Sequence, residues 1–192
     1  MSRIHHQPGG RTDRKIIRRA AICVAVVGVI VSLLAVSRSL APPPSTPKPT
    51  APWSGRCVGV ADGDTISVMY EGATVRIRLN AVDCPEKSQA FGGVAKRFTS
   101  DWGFGKVVTV IPMKVDRYGR TVGDVRTPDG RSLNDDLVAA GLAWWYRYYA
   151  PDDRGLEALE AEARRARRGL WADPHPTPPW EFRQEKRSRS RR

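Results

Sequence analysis

The stretch VRIRLNAVDCPE, residues 75–86, joins an alternating apolar and basic run to an acidic turn. Side chains alternate between the two faces of an extended chain, so Val75, Ile77 and Leu79 share one face and Arg78 lies on the other. The stretch therefore predicts a half-buried strand with one apolar and one charged face. Carboxylates are expected just beyond its end.

Four other segments also have the composition of short strands, and turn-forming residues separate them. Strands of this number with turn-rich corners favour a small closed barrel, and an OB-fold is the leading candidate. We expect an α+β, mainly β protein, namely a five-stranded OB-fold barrel with three helices, preceded by an N-terminal hydrophobic helix. The predicted strands are residues 56–61, 64–70, 74–80, 106–112 and 120–126.

Caps and apolar spacing predict the three helices. Ser88 is expected to cap the first helix, and Ser132 with Asp135 forms a capping-box pattern that opens the second. The third spans about residues 155–168, where acidic residues precede arginines in the order that suits the helix dipole. The side chains expected to be buried by the first helix are Phe91, Val94, Ala95, Phe98 and Trp102.

Composition divides the chain into five parts. The formal net charge is +12, of which residues 1–19 carry +5 and residues 180–192 carry +4. Because most of the excess lies near the two ends, net charge is weak evidence for a nucleic-acid partner. The parts are a basic tail at 1–19, a transmembrane anchor or signal peptide at 20–40, a proline-rich linker at 41–54, the barrel domain at 55–182 and a basic tail at 183–192.

Residues 20–37 contain no charged side chain. A run of 18 such residues meets the lower limit for a membrane span and exceeds the usual apolar core of a signal peptide. An uncleaved anchor and a removed signal peptide both stay open. The flanking arginines predict a cytoplasmic N-terminus and an extracytoplasmic domain, either held at the cell membrane by a single pass or secreted after cleavage.

Two of the three cysteines, Cys57 and Cys84, lie in the predicted domain. An oxidising exterior would permit a bridge between them, although their spacing does not establish one. It also fits no zinc pattern.

Carboxylates cluster at the ends of the predicted strands. Asp62 and Asp64 are two residues apart and share one face of an extended chain, while Asp83 and Glu86 follow the third strand. Ca²⁺ accepts six to eight oxygen ligands in loose geometry. Asp64, Asp83, a backbone carbonyl and waters could supply them.

Two arginines accompany these carboxylates. Arg78 lies on the polar face of its strand, and Arg120 follows a turn-like segment that begins at Asp116. A guanidinium holds phosphate oxygens through paired hydrogen bonds and stays charged as negative charge builds up. The combination of acidic and guanidinium groups is typical of a metal-dependent phosphodiesterase.

Three motifs, DGDT at 62–65, RLNAVDCPE at 78–86 and DRYGR at 116–120, occur in the order found in one known family. In these motifs the chain resembles the staphylococcal-type thermonuclease family over about residues 56–172. The resemblance implies an OB-fold barrel with three helices. It also implies Ca²⁺-dependent cleavage of DNA and RNA that leaves 3′-phosphate ends.

The resemblance also implies roles for the acidic residues. Asp64 and Asp83 would be Ca²⁺ ligands together with the backbone carbonyl of Cys84. Glu86 would be the general base. Asp62 would lie next to the metal ligands without binding the metal itself.

For the substrate, the same resemblance implies that Arg78 and Arg120 bind the phosphate and stabilise the transition state. Tyr118 and Tyr149 match positions that contact the nucleotide. Arg147 replaces an aromatic residue near the nucleotide and is expected to add a phosphate contact.

A second class of function has to be weighed against a nuclease. The same fold could serve as a non-catalytic module that binds nucleic acid or protein, or as the scaffold of a membrane-anchored interaction protein. Loss of Arg78, Glu86 or Arg120 would favour those alternatives, and all three residues are present. We therefore expect an enzyme acting on DNA, RNA or both, with no obligate protein partner.

Overall fold

The computed structural model describes residues 49–191. The basic tail at 1–19, the apolar segment at 20–40 and most of the linker lie outside this range. Within it, no helix has both the length and the apolar character needed to cross a bilayer.

Five strands form a closed barrel in the order β1-β2-β3-β6-β5. Pairing of β3 with β6 is parallel and the other barrel pairs are antiparallel. Two short strands, β4 and β7, pair in a separate antiparallel ribbon. In chain order the strands are β1 at Trp53–Asp62, β2 at Thr65–Tyr70, β3 at Ala73–Leu79, β4 at Val82–Asp83, β5 at Val107–Val115, β6 at Thr121–Arg126 and β7 at Trp144–Trp145.

Four α-helices accompany the barrel in the described part of the chain. They are α1 at Gly92–Gly103, α2 at Leu133–Ala139, α3 at Arg154–Arg165 and α4 at Pro179–Arg189, with a 3₁₀ helix at Gly169–Ala172. The predicted five-stranded barrel in a mainly β, α+β fold is thereby confirmed. The described helices number one more than the sequence predicts.

The barrel interior is filled by branched aliphatic side chains from alternate strand positions. Burying each of these side chains contributes about 1.5–3 kcal/mol of transfer free energy. Helices α1 and α2 close the barrel with Ala95, Leu133 and Leu137, which are also buried. The aliphatic side chains inside are those of Ile66, Val68, Ile77, Val108, Val110 and Val125.

Helix α1 begins later than the sequence predicts. Its N-cap is Phe91 at φ 65°, not Ser88, and no side chain caps it. The chain first makes a tight turn in which the N–H of Gln89 donates to the Glu86 carbonyl at 2.8 Å. Gly92 lies so close to that carbonyl that a Cβ would overlap its oxygen. Val94, expected to be buried, is 39% exposed.

The second helix begins at the predicted cap, and the third has the predicted charge order and a cap that was not predicted from the sequence. Ser132 Oγ accepts the N–H of Asp135 at 3.3 Å, and α2 begins at the next residue. Asp153 caps α3 through the N–H of Leu156 at 3.0 Å. Ser132 and Asp153 thus satisfy free N–H groups in the first turns of α2 and α3, which is why such residues favour helix starts.

At the C-terminal side, a helix occupies the segment predicted as a basic tail. Helix α4 extends to Arg189, well beyond the expected domain end at Phe182. Pro179 stands at the first helical position, where its missing N–H has no cost. The abundance of basic residues in 183–192 conceals this helix in the sequence.

Cys57 and Cys84 are both buried free thiols. The bridge that the sequence leaves open is therefore not formed. The Cys84 side chain packs instead beside Gly63.

Candidate active site

A cavity of about 710 Å³ opens where the β1–β2 turn, the segment after β3 and the β5–β6 turn meet. Its wall combines acidic, basic and aromatic side chains. The acidic ones are Asp62, Asp64, Asp83, Glu86 and Asp116, the basic ones are Arg78, Lys114, Arg117, Arg120, Arg183 and Arg187, and the aromatic ones are Tyr118, Tyr146, Tyr149 and Trp180.

The β1–β2 turn brings the first acidic motif against the second. Asp64 Oδ2 accepts the backbone N–H of Cys84 at 2.7 Å, and the Asp64 carbonyl accepts the N–H of Leu79 at 2.9 Å. Gly63 makes this approach possible, because a Cβ there would lie 2.7 Å from both the Cys84 sulfur and the Ala95 Cβ. A side chain at this position would push the two acidic motifs apart.

Arg78 connects the two predicted metal ligands. Its Nη1 lies 3.1 Å from Asp64 Oδ2 and its Nη2 lies 2.8 Å from Asp83 Oδ1. The guanidinium also donates to the carbonyls of Leu79 at 3.1 Å and Val82 at 2.9 Å. These four contacts fix its position in the barrel rim, and its side chain is only 15% exposed.

Burial raises the pKa of Asp64 to about 7, against the lowering effect of Arg78 and with further raising by Asp62 and Asp83. Burial of the carboxyl group is thus the main reason why the pKa of Asp64 is raised. A cation at this point would favour the ionised form of Asp64.

The donor set at the rim suits a hard cation. No three Asp, Glu, His or Cys side chains within residues 49–191 group as a self-sufficient metal site. Asp64 and Asp83, however, both contact the one guanidinium of Arg78, so both carboxylates are within reach of a single positive centre. Two carboxylates with backbone carbonyls and waters fit Ca²⁺, which takes several oxygen ligands, better than zinc.

Glu86 lies on the loop between β4 and α1. Its N–H donates to Gln89 Oε1 at 3.1 Å, and its side chain is 39% exposed at the cavity wall. Gly92 packs against its carbonyl, so the start of α1 fixes the backbone of this residue.

Arg120 enters the cavity from the β5–β6 turn. Asp116 Oδ1 accepts the N–H groups of Tyr118 and Arg120, both at 2.9 Å, and its Oδ2 accepts Arg120 Nε at 2.8 Å. Partial burial acts to raise the pKa of Asp116, but the hydrogen bonds from Arg120 outweigh this effect and lower it. Asp116 therefore orients the Arg120 guanidinium while leaving its Nη atoms for other partners.

The predicted nucleotide-contact residues divide into two groups. Tyr118 and Tyr149 line the cavity, and Lys114 lies 4.7 Å above the Tyr149 ring. Arg147 does not line it, and its guanidinium lies 4.7 Å from the Trp145 ring centroid. The structure thus brings together the predicted acidic, arginine and tyrosine residues, and leaves Arg147 aside.

Sequence reasoning missed Tyr146, Trp180 and Arg183. Tyr146 and Trp180 stack in parallel, with ring centroids 5.2 Å apart. Arg183 forms ion pairs with Asp83 at 2.8 Å and with Glu86 at 2.9 Å. One feature of the sequence could have indicated these residues. Two prolines precede Trp180, as is typical of a helix start, and Arg183 follows Trp180 by one helical turn.

Comparison with known proteins shows what this chain is similar to. A family profile described as "Staphylococcal nuclease homologue" matches residues 76–173. An uncharacterized endonuclease of Escherichia coli O157:H7 is 47% identical over 132 residues, which cover 69% of this chain and 86% of that protein. A micrococcal nuclease of Shigella flexneri is 43% identical over 142 residues, which cover 69% of this chain and 82% of that protein. An uncharacterized endonuclease of Haemophilus influenzae is 37% identical over 134 residues, covering 69% and 74%.

Proposed function

Starting from the fact that this chain belongs to the staphylococcal nuclease homologue family and is a nuclease, we propose that it is a Ca²⁺-dependent endonuclease. Its substrate is nucleic acid, and we propose hydrolysis of DNA, RNA or both to products with 3′-phosphate ends. The observation that carries the proposal is the contact of Asp64 and Asp83 with one guanidinium, in a cavity that also holds Glu86 and Arg120.

In this proposal Asp64, Asp83 and the carbonyl of Cys84 hold the cation. Bound Ca²⁺ would supply positive charge that polarises the phosphodiester and stabilises its transition state. The buried N–H of Cys84 keeps Asp64 in place, because it donates to Oδ2 at 2.7 Å.

Arg78 and Arg120 bind the phosphate. Cleavage that leaves a 3′-phosphate forms a bond from water oxygen to phosphorus and breaks the bond from phosphorus to the 5′-oxygen, which leaves with the bonding electron pair and takes a proton from solvent. Two negative charges then spread over the phosphoryl oxygens in the transition state, and fixed guanidinium groups stabilise them. Contacts with backbone carbonyls hold Arg78, and Asp116 holds Arg120, so neither has to reorganise during the reaction.

Glu86 accepts the proton of the attacking water. A carboxylate at the cavity wall with 39% exposure can contact a water molecule and accept its proton. Tyr118 and Tyr149 supply aromatic faces beside the phosphate site, on which bases can stack.

We predict that Glu86→Gln lowers kcat by about 10²–10⁴-fold, because it removes the general base. Arg120→Ala should lower kcat by a similar factor of about 10²–10⁴, because it removes a positive charge that stabilises the transition state. The measurement is cleavage of DNA and of RNA by purified protein with Ca²⁺ and with chelator, with analysis of the product ends. Unchanged thermal unfolding would show that the fold is retained.

The corresponding charge control is Arg154→Gln, which removes an exposed arginine of α3 whose ion pair in the described part of the chain is with neighbouring Glu157 at 2.6 Å. Near-native cleavage by Glu86→Gln or Arg120→Ala would contradict the assigned roles. Binding of nucleic acid without Ca²⁺-dependent cleavage by the unmodified protein would favour the non-catalytic binding module.

The proposal includes an extracytoplasmic location. The uncharged run at 20–37, preceded by arginines and followed by a proline-rich segment, supports either a membrane anchor or a cleaved signal peptide. The linker at 41–54 would then act as a stiff spacer between the membrane and the nuclease domain.

A further inference from the structure

Helix α4 forms one wall of the cavity although it lies beyond the residues that the family profile matches, 76–173. The Trp180 ring stacks on Tyr146 and meets Trp144 edge-on, with centroids 5.5 Å apart. Before the helix, the Thr177 carbonyl accepts Gln89 Nε2 at 2.6 Å. These contacts place the polar face of α4 over the acidic rim.

Arg183 uses this position to bind two carboxylates at once. Its Nη2 lies 2.8 Å from Asp83 Oδ2, and its Nη1 lies 3.2 Å from Asp83 Oδ1 and 2.9 Å from Glu86 Oε1. Asp83 is therefore paired with Arg78 on one side and with Arg183 on the other. Its side chain is only 1% exposed, so little room is left for another ligand.

We propose that Arg183 competes with the divalent cation for Asp83 and Glu86. The inference rests on the proposed function, in which Asp83 is a cation ligand and Glu86 is the base. The Arg183 guanidinium contacts both oxygens of Asp83 and so occupies the positions that a cation needs, and its positive charge would repel a cation placed beside it. Cation binding thus displaces Arg183, and Arg183 sets how much cation the enzyme requires.

Arg78 also contacts Asp83 but belongs to the fixed frame of the site. It donates to two backbone carbonyls in the barrel rim and is 15% exposed. Arg183 is carried by a helix outside the barrel and is 32% exposed, and its hydrogen bonds within residues 49–191 go to the two carboxylates. Its side chain can leave Asp83 by changing rotamers, without any movement of a strand.

The ion pair with Arg183 also makes Glu86 less able to accept a proton from the attacking water. The guanidinium uses Oε1, one of the two oxygens that could accept a proton from water. The same displacement therefore frees a cation ligand and a general base together. Arg183 keeps the site inactive at low cation concentration.

The test is calorimetric titration of Ca²⁺ alone into the full-length protein, without nucleic acid. We expect Arg183→Gln to tighten Ca²⁺ binding by roughly tenfold, which corresponds to about 1.4 kcal/mol. The concentration of Ca²⁺ that gives half-maximal cleavage should fall in parallel. Unfolding transitions of each variant establish that α4 remains folded.

Arg187→Gln is the matched control, because it removes the same charge from the same helix and cavity wall one turn later. Within the described residues, Arg187 forms no ion pair. If the loss of one positive charge near the site were sufficient, both variants would bind Ca²⁺ more tightly by a similar factor, and this result would overturn the competition. Direct competition predicts a much larger gain in Ca²⁺ affinity for Arg183→Gln than for Arg187→Gln.

Asp83→Asn identifies the site, since it should abolish the calorimetric signal. Equal Ca²⁺ affinity of the unmodified protein and Arg183→Gln would overturn the competition while leaving the proposed nuclease mechanism intact. A protein that cleaves nucleic acid equally well in chelator, with no Ca²⁺ binding in either form, would overturn the Ca²⁺ site and the competition together.

Discussion

At the scale of single residues, Gly63 determines how closely the two acidic motifs approach. A Cβ at this position would lie 2.7 Å from Cys84 Sγ and from Ala95 Cβ, both in the core. We predict that Gly63→Ala destabilises the protein by about 1–3 kcal/mol, because a well-packed interior cannot absorb the extra atom without strain. Urea unfolding measures the loss, and Ca²⁺ titration should show weaker binding.

Gly93→Ala is the control for this prediction. Its nearest neighbour would be Arg97 Nη1 at 3.7 Å, on the flexible end of a side chain. Alanine is preferred over glycine inside a helix by about 0.5–1 kcal/mol, so this variant should be neutral or more stable. A Gly63→Ala protein with the stability of the Gly93→Ala protein would contradict the packing argument.

The types of residue in the three sequence motifs, and their spacing, predicted many of the residues that line the candidate site. Asp62, Asp64, Asp83, Glu86 and Arg120 reach one cavity because each follows or precedes a strand end on the same rim. Their roles stay predictions until variants are measured. No local pattern, in contrast, indicated the contact between Arg183 and Asp83, since 100 residues separate them along the chain.

At the scale of secondary-structure elements, the buried Glu160 of α3 holds the β4–β7 ribbon in place. Its Oε1 accepts the N–H of Trp145 in β7 at 3.2 Å, and Arg164 Nε lies 3.5 Å from its Oε2. Strand β7 pairs with β4, and Asp83 of β4 lies opposite Trp144 of β7. By holding β7, the Glu160 carboxylate therefore helps to hold the strand that carries the predicted metal ligand Asp83.

We predict that Glu160→Ala destabilises the protein by about 1–3 kcal/mol, because it leaves the buried N–H of Trp145 without an acceptor. Ca²⁺ affinity should fall as well, since the ribbon that carries Asp83 loses its support. Thermal unfolding and calorimetry measure the two effects. Glu157→Ala, at a 40% exposed position on the same helix, should change stability by less than ~0.5 kcal/mol.

Strands and the start of α2 were the features that sequence predicted best. The alternation at 75–79 and the cap at Ser132 act over a few residues, so local chemistry is sufficient. The start of α1 escaped prediction because packing of Gly92 against the Glu86 carbonyl, and not a side-chain cap, determines it. Helix α4 escaped because its docking depends on Trp180 contacting Tyr146 across the fold.

At the scale of the whole molecule, the catalytic unit and its location are expected to be separable. The barrel begins with β1 at Trp53–Asp62, and every residue assigned to the site lies at the end of this strand or beyond it. A protein of residues 49–192 should therefore cleave nucleic acid at the same specific rate as the full chain. The full chain alone should fractionate with membranes or be secreted, and the mass of the mature protein shows whether residues 1–40 are removed.

An inactive 49–192 protein with a native unfolding transition would contradict this separation. So would a full-length chain that stays in the cytoplasmic fraction, because the apolar run at 20–37 would then have no membrane role.

The placement of Arg183 on a helix outside the barrel has an evolutionary consequence. Under the proposed competition, substitutions in α4 change the cation requirement without altering any strand. Selection could therefore adjust the enzyme to surroundings rich or poor in calcium through the exposed positions of a helix that lies outside the barrel. Relatives with the same barrel are accordingly expected to differ most in cation threshold where this segment diverges.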